Sequence, residues 1–156
     1  MPDRARTPAG STRRSAWGLE LHAGYGLVTL AYMAAIFVLS SIPDRGIANS
    51  PYNPVTGRVS TGALEVFLDV LHVFMYAGLA FLFLNAATGG QAHRTLPWGP
   101  YAIALLAIAA YGVFDEWHQS FVPGRGPSVT DVVMDLVGGI AMLALLRLRA
   151  APEARA

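Results

Sequence analysis

The stretch AGYGLVTLAYMAAIFVLSSI, residues 23–42, decides the fold because it contains no charged side chain. A helix of about 20 mainly apolar residues spans the roughly 30 Å hydrocarbon core of a bilayer. Three further stretches have this character, at residues 68–87, 96–117 and 128–146, and their few charges lie near the ends. Four such stretches in 156 residues leave too little polar sequence to cover the helices of a soluble protein. The sequence therefore predicts an all-α bundle of four transmembrane helices.

The overall composition also indicates a bilayer environment, since 54% of the residues are hydrophobic and 13% are charged. The formal net charge is only +1, which excludes the basic footprint of a nucleic-acid-binding protein. The chain has no Cys, so disulfides, thiolate metal sites and thiol nucleophiles are excluded. We therefore expect membrane lipids or lipid-linked envelope intermediates as partners, and oxygen or imidazole groups for any catalysis.

The arginines predict how the four helices are oriented in the membrane. One side of the membrane receives Arg4, Arg6, Arg13, Arg14, Arg94, Arg147, Arg149 and Arg155. The other side receives Arg45, Arg58 and Arg125. By the positive-inside rule, both termini face the cytoplasm. We expect cytoplasmic tails at residues 1–20, which are mobile, and 149–156, around a membrane domain at 21–148 in the bacterial cytoplasmic membrane.

Most ionisable side chains of the predicted helices fall at one membrane face, where the second and fourth helices begin and the third ends. They are Asp69, His72, Asp115, Glu116, His118, Arg125, Asp131 and Asp135. An Asp at the centre of a membrane helix costs about 2.5–3.5 kcal/mol, so such residues usually face a bundle interior or a wet cavity. This cluster is the candidate functional site, and the predicted orientation makes it face outwards.

Helical phase predicts which of these side chains share a face. At about 100° per residue, Asp69, His72 and Tyr76 lie in one narrow sector of the second helix. In the fourth helix, Asp131 and Asp135 lie one turn apart on a common face. The second and fourth helices therefore each have one polar side, which we expect to point into the bundle.

The same phase argument applies to the ends of the third and fourth helices. Asp115 and Gln119 lie one turn apart, whereas Glu116 points about 100° away from Asp115. We therefore expect the two carboxylates to serve different points. Gly138 lies one turn after the polar face of the fourth helix, and with Gly139 it allows a neighbouring helix to approach closely.

The segment between the third and fourth helices contains Pro123-Gly124, a pair that favours a type II turn with Gly at positive φ. Such a turn presents Arg125 at the surface, just before the fourth helix. A guanidinium binds phosphate or carboxylate through paired hydrogen bonds, and a helix N-terminus also favours anions. We expect Arg125 either to bind an anionic group, such as a lipid phosphate, or to neutralise a neighbouring acid.

Structural roles compete with functional ones in this cluster. Ser128-x-x-Asp131 is a variant of the capping box, which explains Asp131 without a ligand. His72 is a catalytic candidate, but it also fits a packing residue that is hydrogen-bonded to Tyr76 or Asp69. Aromatic side chains near the helix ends suit an interfacial belt, at Trp98, Tyr101 and Trp117.

The charges of the cluster do not balance. Five acids stand against one Arg and two His, and carboxylates crowded at low dielectric cannot all stay ionised without compensation. A protonated carboxyl group would supply a general acid, and a bound divalent cation would supply compensation and a Lewis acid. The His spacings do not form a zinc signature such as His-Glu-x-x-His, so a metal is the weaker interpretation.

The motifs of this site resemble the VanZ-like family. The hallmark run is similar to Asp115-Glu116-x-His118-Gln119, followed by Pro123-Gly124-Arg125 and by Asp131 at the opening of the last helix. Two further family elements resemble Ser40-Ser41-x-Pro43 and His72-x-x-x-Tyr76, whereas Asp135 stands where the family usually carries Asn. The resemblance covers most of the chain. It implies a bacterial envelope protein of a family named for reduced susceptibility to the glycopeptide antibiotic teicoplanin.

Two functions follow from the site and the resemblance. The first is an enzyme that hydrolyses or transfers a group on a lipid-linked envelope substrate, with the catalytic candidates Glu116, His118, Asp115 and His72. Its candidate substrate-binding residues are Arg125, Gln119, Tyr76, Asp69, Asp131 and Asp135. The alternative is a noncatalytic protein that binds a lipid or glycopeptide and thereby affects antibiotic susceptibility. Proton-coupled transport has less support, because no polar residue continues into the cytoplasmic half.

Overall fold

Four long α-helices form the structure, a computed structural model that describes residues 19–43, 52–53, 58–59 and 63–150. The helices are α1 (Ala23–Ser40), α2 (Ala63–Ala87), α3 (Trp98–Gln119) and α4 (Val129–Ala150). Between α1 and α2, β1 (Tyr52–Asn53) pairs antiparallel with β2 (Arg58–Val59). The predicted tails lie almost wholly outside the described residues, except that α4 continues to Ala150. The prediction of a four-helix all-α fold is confirmed.

All four helices have the length and apolar character that a membrane span requires. The qualifying segments are Ala23–Ser40, Val70–Ala87, Trp98–Gln119 and Val129–Ala150. Large apolar side chains remain exposed around the bundle, and Phe74 and Leu106 are both 69% exposed. Soluble proteins rarely carry so extensive an apolar surface, whereas lipid solvates it without cost. The chain is therefore a multi-pass membrane protein.

Helix α4 packs mainly against α2, and two glycines make this close packing possible. A side chain at Gly138 would overlap the backbone carbonyl of Val73 in α2. A Cβ at Gly139 would lie 3.2 Å from the side chain of Ile108 in α3. The predicted close approach at this glycine pair is confirmed, and it holds the polar face of α4 directly against α2.

Tyrosine hydroxyls fasten α1 to the rest of the bundle. The Tyr32 hydroxyl in α1 donates to the carbonyl of Met75 in α2 over 3.1 Å. The Tyr111 hydroxyl in α3 donates to the carbonyl of Met33 in α1 over 2.6 Å. Inside the bilayer such bonds have no competition from water, so they add specificity to otherwise apolar contacts.

The contacts at the helix ends show which ends lie together. The backbone N–H of Glu20, just before α1, donates to the carbonyl of Ala87 at the end of α2 (2.8 Å). The Thr95 hydroxyl, just before α3, donates to the carbonyl of Ala150 at the end of α4 (2.9 Å). We call this the terminal end of the bundle. The opposite end contains the polar cluster, and which end faces the cytoplasm stays a prediction from the arginines.

Candidate functional site

Most of the predicted site residues meet at the end of the bundle opposite the terminal end. The group consists of His72, Tyr76, Asp115, Glu116, Gln119, Arg125, Asp131 and Asp135. All of them are buried except Arg125, which is half-buried, and no carboxylate residue in the group is more than 5% exposed. The side chain of Asp69 lies outside what the structure describes. His118 belongs to the same end of the bundle but has a different partner.

Asp115 connects α3 to the last residue of α1. Its Oδ1 accepts a hydrogen bond from the Ser40 hydroxyl over 2.6 Å, and its Oδ2 accepts from Gln119 Nε2 over 2.9 Å. Hydrogen bonds to a carboxylate are short and about twice as strong as neutral ones. Asp115 is therefore held in one orientation by two side chains from two helices.

Glu116 points in a different direction from Asp115, as the helical phase predicted, and this direction is towards α4. Its Oε2 accepts the backbone N–H of Ser128 over 2.5 Å, and its Oε1 accepts from Gln119 Nε2 over 3.2 Å. The Ser128 hydroxyl in turn accepts the N–H of Asp131 over 3.1 Å, which confirms Ser128 as the cap of α4. In an ordinary capping box the residue at the Asp131 position would bind the cap N–H. Here the carboxylate of Glu116, from α3, accepts the hydrogen bond from the Ser128 N–H instead.

His72 lies between the two aspartates of α4. Its Nδ1 is 2.9 Å from Asp135 Oδ1, and its Nε2 is 3.8 Å from Asp131 Oδ2. The alternative of a bond to Tyr76 is wrong, because the two rings lie nearly parallel with centroids 6.3 Å apart. The polar faces of α2 and α4 therefore meet through one imidazole and two carboxylates.

The Tyr76 hydroxyl and Asp135 Oδ2 are buried and have no hydrogen-bond partner among the described residues. Both side chains flank Gly112, where an added Cβ would lie 2.9 Å from Asp135 Oδ2 and 3.6 Å from the Tyr76 ring. Buried polar atoms normally have partners, so this position suits a water molecule or a polar ligand atom.

The turn before α4 has the predicted conformation. The N–H of Arg125 donates to the carbonyl of Val122 over 3.0 Å, and Gly124 has φ of 80°. The expectation that Arg125 would be displayed at the surface is wrong, because its side chain turns inwards and is half-buried. Its Nη1 donates to Gln119 Oε1 over 3.1 Å, so Gln119 joins the guanidinium to both carboxylates of α3.

His118 faces α1 and not the carboxylates. Its Nε2 is 2.8 Å from the Ser41 hydroxyl oxygen, and its ring stacks on Phe37 with centroids 4.1 Å apart. Two positions separate it from Glu116, about 200° around the helix, so the two side chains leave α3 on opposite sides. Grouping His118 with the acids by membrane depth alone therefore missed its direction.

A cavity of about 200 Å³ opens between the ends of α1 and α2. Its polar wall consists of Ser40, His72, Asp115 and Arg125, and its apolar wall of Ile36, Leu39, Ile42, Leu71 and Met75. Several apolar wall residues are also exposed on the outside of the bundle, which places the opening towards the bilayer. We call it the polar cavity.

The described residues do not form a metal site. No three Asp, Glu or His side chains within the described part of the chain are placed to hold a metal ion. The oxygens of Asp115 and Glu116 already accept hydrogen bonds from Ser40, Gln119 and Ser128. The interpretation with a divalent cation therefore gains no support from these side chains.

Two contributors to the site were not predicted. The sequence signal for Ser40 is the pair of hydroxyls in the Ser40-Ser41-x-Pro43 motif at the end of an apolar helix. Gly112 carries no polar group at all. Its position, one turn before the Asp115-Glu116 pair, is the sequence signal that it lies at the site, where it packs against Asp135 and Tyr76.

Fold and site together define a class: a four-helix membrane protein with a buried acid, His and Arg network at one membrane surface. The family model for VanZ/LLP1 matches residues 13–150, nearly the whole chain. The chain therefore belongs to the VanZ/LLP1 family, which confirms the resemblance seen in its motifs. No curated protein and no solved structure matches the chain.

Proposed function

We propose that this protein binds an amphiphilic, lipid-linked molecule of the bacterial envelope and hydrolyses or transfers a group on its polar part. The polar cavity is the observation that carries the proposal. Its opening lies between two apolar helices, and its inner wall has a carboxylate, an imidazole, a hydroxyl and a guanidinium. An amphiphile entering from the bilayer would bring its polar part to these groups while its chain stays among apolar side chains.

The electrostatics of the polar cavity favour a polar part with both hydroxyl and anionic groups. Asp115 and Ser40 offer hydrogen-bond acceptors, whereas Arg125 offers planar donors suited to phosphate or carboxylate. Arg125 would repel a purely cationic ligand, and the buried acids would repel a ligand with several anionic groups. A glycolipid or a phosphate-linked lipid satisfies both requirements.

The acid–base roles fit Asp115 and His72 better than the Glu116 and His118 of the sequence analysis. Glu116 points towards α4 and does not line the polar cavity, and His118 lies against Phe37 outside it. Asp115 and His72 line the polar cavity itself. We therefore assign Glu116 and Gln119 to positioning.

In hydrolysis, Asp115 accepts a proton from water as the water oxygen attacks the substrate. The bond to the leaving group breaks, and a protonated His72 donates a proton to the leaving oxygen. In group transfer, an acceptor hydroxyl takes the place of water. Ser40, 2.6 Å from Asp115, orients the carboxylate, and Arg125 binds an anionic group of the substrate.

Purified protein incubated with a bacterial envelope lipid extract tests the proposal by lipid mass spectrometry. We expect a product that accumulates with the wild-type protein and disappears with Asp115→Asn. Ser120→Ala is the matched control, since the hydroxyl of this exposed serine donates to the carbonyl of Trp117 and the residue does not line the polar cavity. Equal product from wild type and Asp115→Asn would refute the catalytic assignment.

A noncatalytic function is the second candidate, and one observation favours it. Each carboxylate oxygen of Asp115 and Glu116 accepts one hydrogen bond inside the protein, which suits a rigid recognition site as well as a reaction centre. In this case the protein retains a lipid or glycopeptide without converting it, and antibiotic susceptibility changes with the amount of protein. Saturable binding without product would select this candidate over the enzyme.

A further inference from the structure

A second cavity lies at the terminal end of the bundle, between α3 and α4, and has no part in the polar cavity. Its volume is about 680 Å³, within the range of about 300–1,000 Å³ that ligand pockets occupy. Its walls are formed by Trp98, Tyr101, Ala102, Leu105, Ile140, Leu143, Ala144, Arg147 and Leu148. Arg147 is the only charged residue among them. We call this space the α3–α4 groove.

The guanidinium of Arg147 is fixed at one end of the α3–α4 groove. It lies over the Trp98 ring, 3.6 Å from the centroid, and 5.3 Å from the centroid of the Tyr101 ring. Its Nη1 donates to the carbonyl of Leu96 over 3.1 Å. These contacts orient the planar group without neutralising it, and no carboxylate of the described residues lies within ion-pair distance of it.

Tyr101 also lines the same groove, and its side chain carries a second polar group. The Tyr101 hydroxyl is buried and has no hydrogen-bond partner among the residues that the structure describes, while the residue as a whole is only 5% exposed. A buried hydroxyl without a partner is unusual, because the lost hydrogen bonds to water are normally replaced. A ligand in the groove could supply the missing acceptor.

From these observations we propose that the α3–α4 groove binds a phospholipid with an anionic head group. The acyl chain lies along Leu105, Ile140 and Leu143, and the head-group phosphate meets Arg147. An ester or phosphate oxygen of the lipid accepts from the Tyr101 hydroxyl. Basic pockets between membrane helices bind anionic head groups through the same combination of charge and apolar wall.

A lipid bound in the α3–α4 groove can be distinguished from a lipid that only surrounds the protein. Trp98 and Leu148 are both strongly exposed at the groove, so a lipid can enter from the bilayer without displacing a helix. Arg149, in the same last turn of α4, is exposed and does not line the groove. Arg149 therefore carries the same positive charge as Arg147 at nearly the same depth in the membrane, but it lies outside the α3–α4 groove.

Native mass spectrometry of the full chain in detergent tests the proposal, with phosphatidylglycerol and phosphatidylcholine of identical acyl chains as probes. We expect preferential retention of phosphatidylglycerol by the wild-type protein. Arg147→Gln should lower that preference about fivefold, the effect of one basic residue near an anionic surface. Arg149→Gln should preserve the preference. Equal losses in the two variants would reject the groove in favour of general surface charge.

A second variant keeps the test valid if Arg147→Gln does not fold. Ala144→Phe fills the wall of the α3–α4 groove while leaving Arg147 in place, and we expect it to lose the phosphatidylglycerol preference. Retained preference in a folded Ala144→Phe protein would overturn the proposal. So would disulfide cross-linking of two Ala144→Cys chains in phosphatidylglycerol vesicles, since a second copy would then occupy the groove. Asp115→Asn should bind phosphatidylglycerol like wild type, which separates this test from that of the polar cavity.

Discussion

Glu116 caps a helix other than its own: its side chain accepts the backbone N–H of Ser128 at the beginning of α4. The capping bond therefore crosses between α3 and α4 and closes the loop that carries Arg125. Because Oε1 of Glu116 also accepts from Gln119, the same carboxylate fixes both the beginning of α4 and the Gln119 side chain.

The first prediction follows from this cap. Glu116→Ala leaves the buried Ser128 N–H without an acceptor, so we expect a loss of about 1–3 kcal/mol in the free energy of unfolding. Ser128→Ala removes the neighbouring hydroxyl cap and should cost about 1 kcal/mol. Denaturant unfolding of both variants in detergent measures the difference, and wild-type stability of Glu116→Ala would contradict the capping role.

The second prediction concerns the contact between α2 and α4. Gly138→Ala places a methyl group against the carbonyl of Val73, so the helices must separate, and overpacking typically costs about 1–3 kcal/mol. Gly26→Ala in α1 is the matched control, since no atom beyond the neighbouring backbone of α1 itself lies within 4 Å of the new Cβ. The control should be neutral or more stable, by up to about 1 kcal/mol from helix propensity. Similar thermal unfolding of the two variants would exclude close packing at Gly138.

The third prediction concerns the buried pair of His72 and Asp135. Removing either partner leaves a buried polar group without its bond, and breaking such a pair typically costs about 3–5 kcal/mol. We expect His72→Leu and Asp135→Leu each to be strongly destabilised, and the double variant to lose clearly less than the sum. A double-mutant cycle on unfolding free energies measures this coupling, and strict additivity would show that the two side chains act independently.

The fourth prediction separates two adjacent serines. Ser40→Ala removes the hydroxyl that orients Asp115 within the polar cavity, whereas Ser41→Ala removes the partner of His118 outside it. We expect Ser40→Ala to reduce lipid conversion or retention by about tenfold, equivalent to a lost hydrogen bond of about 1.4 kcal/mol. Ser41→Ala should remain near the wild-type level. The reverse order of effects would move the site to His118.

The fifth prediction fixes the orientation in the membrane. The chain has no native Cys, so single cysteines at Ser120 and His93 report opposite ends of the bundle. If the termini are cytoplasmic, a membrane-impermeant thiol reagent labels Ser120→Cys in intact cells and labels His93→Cys only after permeabilisation. Labelling in the opposite pattern would place the polar cavity at the cytoplasmic surface.

Features governed by local periodicity could be predicted from the sequence. The apolar stretches gave the four helices, the Pro123-Gly124 pair gave its turn, and helical phase placed Asp131, Asp135 and Gly138 on one packed face. Each depends on residues that are near neighbours along the chain. The same holds for the divergence of Asp115 and Glu116, which needs only the angle between consecutive helical positions.

Contacts between distant residues were out of reach. Ser40 and Asp115 are separated by 75 positions, and a helical pattern does not specify which neighbour a polar face meets. Thus the pattern within α2 offers Tyr76 or Asp69 as a partner for His72 and cannot indicate Asp135 of α4, whose Oδ1 lies 2.9 Å from the imidazole. The α3–α4 groove is a space between two helices. Its shape depends on how the whole helices pack, which a local sequence pattern does not specify.

The pair of His72 and Asp135 also bears on how the protein is made. Chains emerge from the ribosome N-terminus first, so α2 enters the bilayer before α4 is complete. Asp131 and Asp135 oppose the insertion of α4, since a carboxylate costs up to about 2.5–3.5 kcal/mol where it reaches the centre of a membrane helix. An imidazole already in place can receive them as they arrive. The order of the helices along the chain thus provides the two aspartates of α4 with a partner that is already in the membrane.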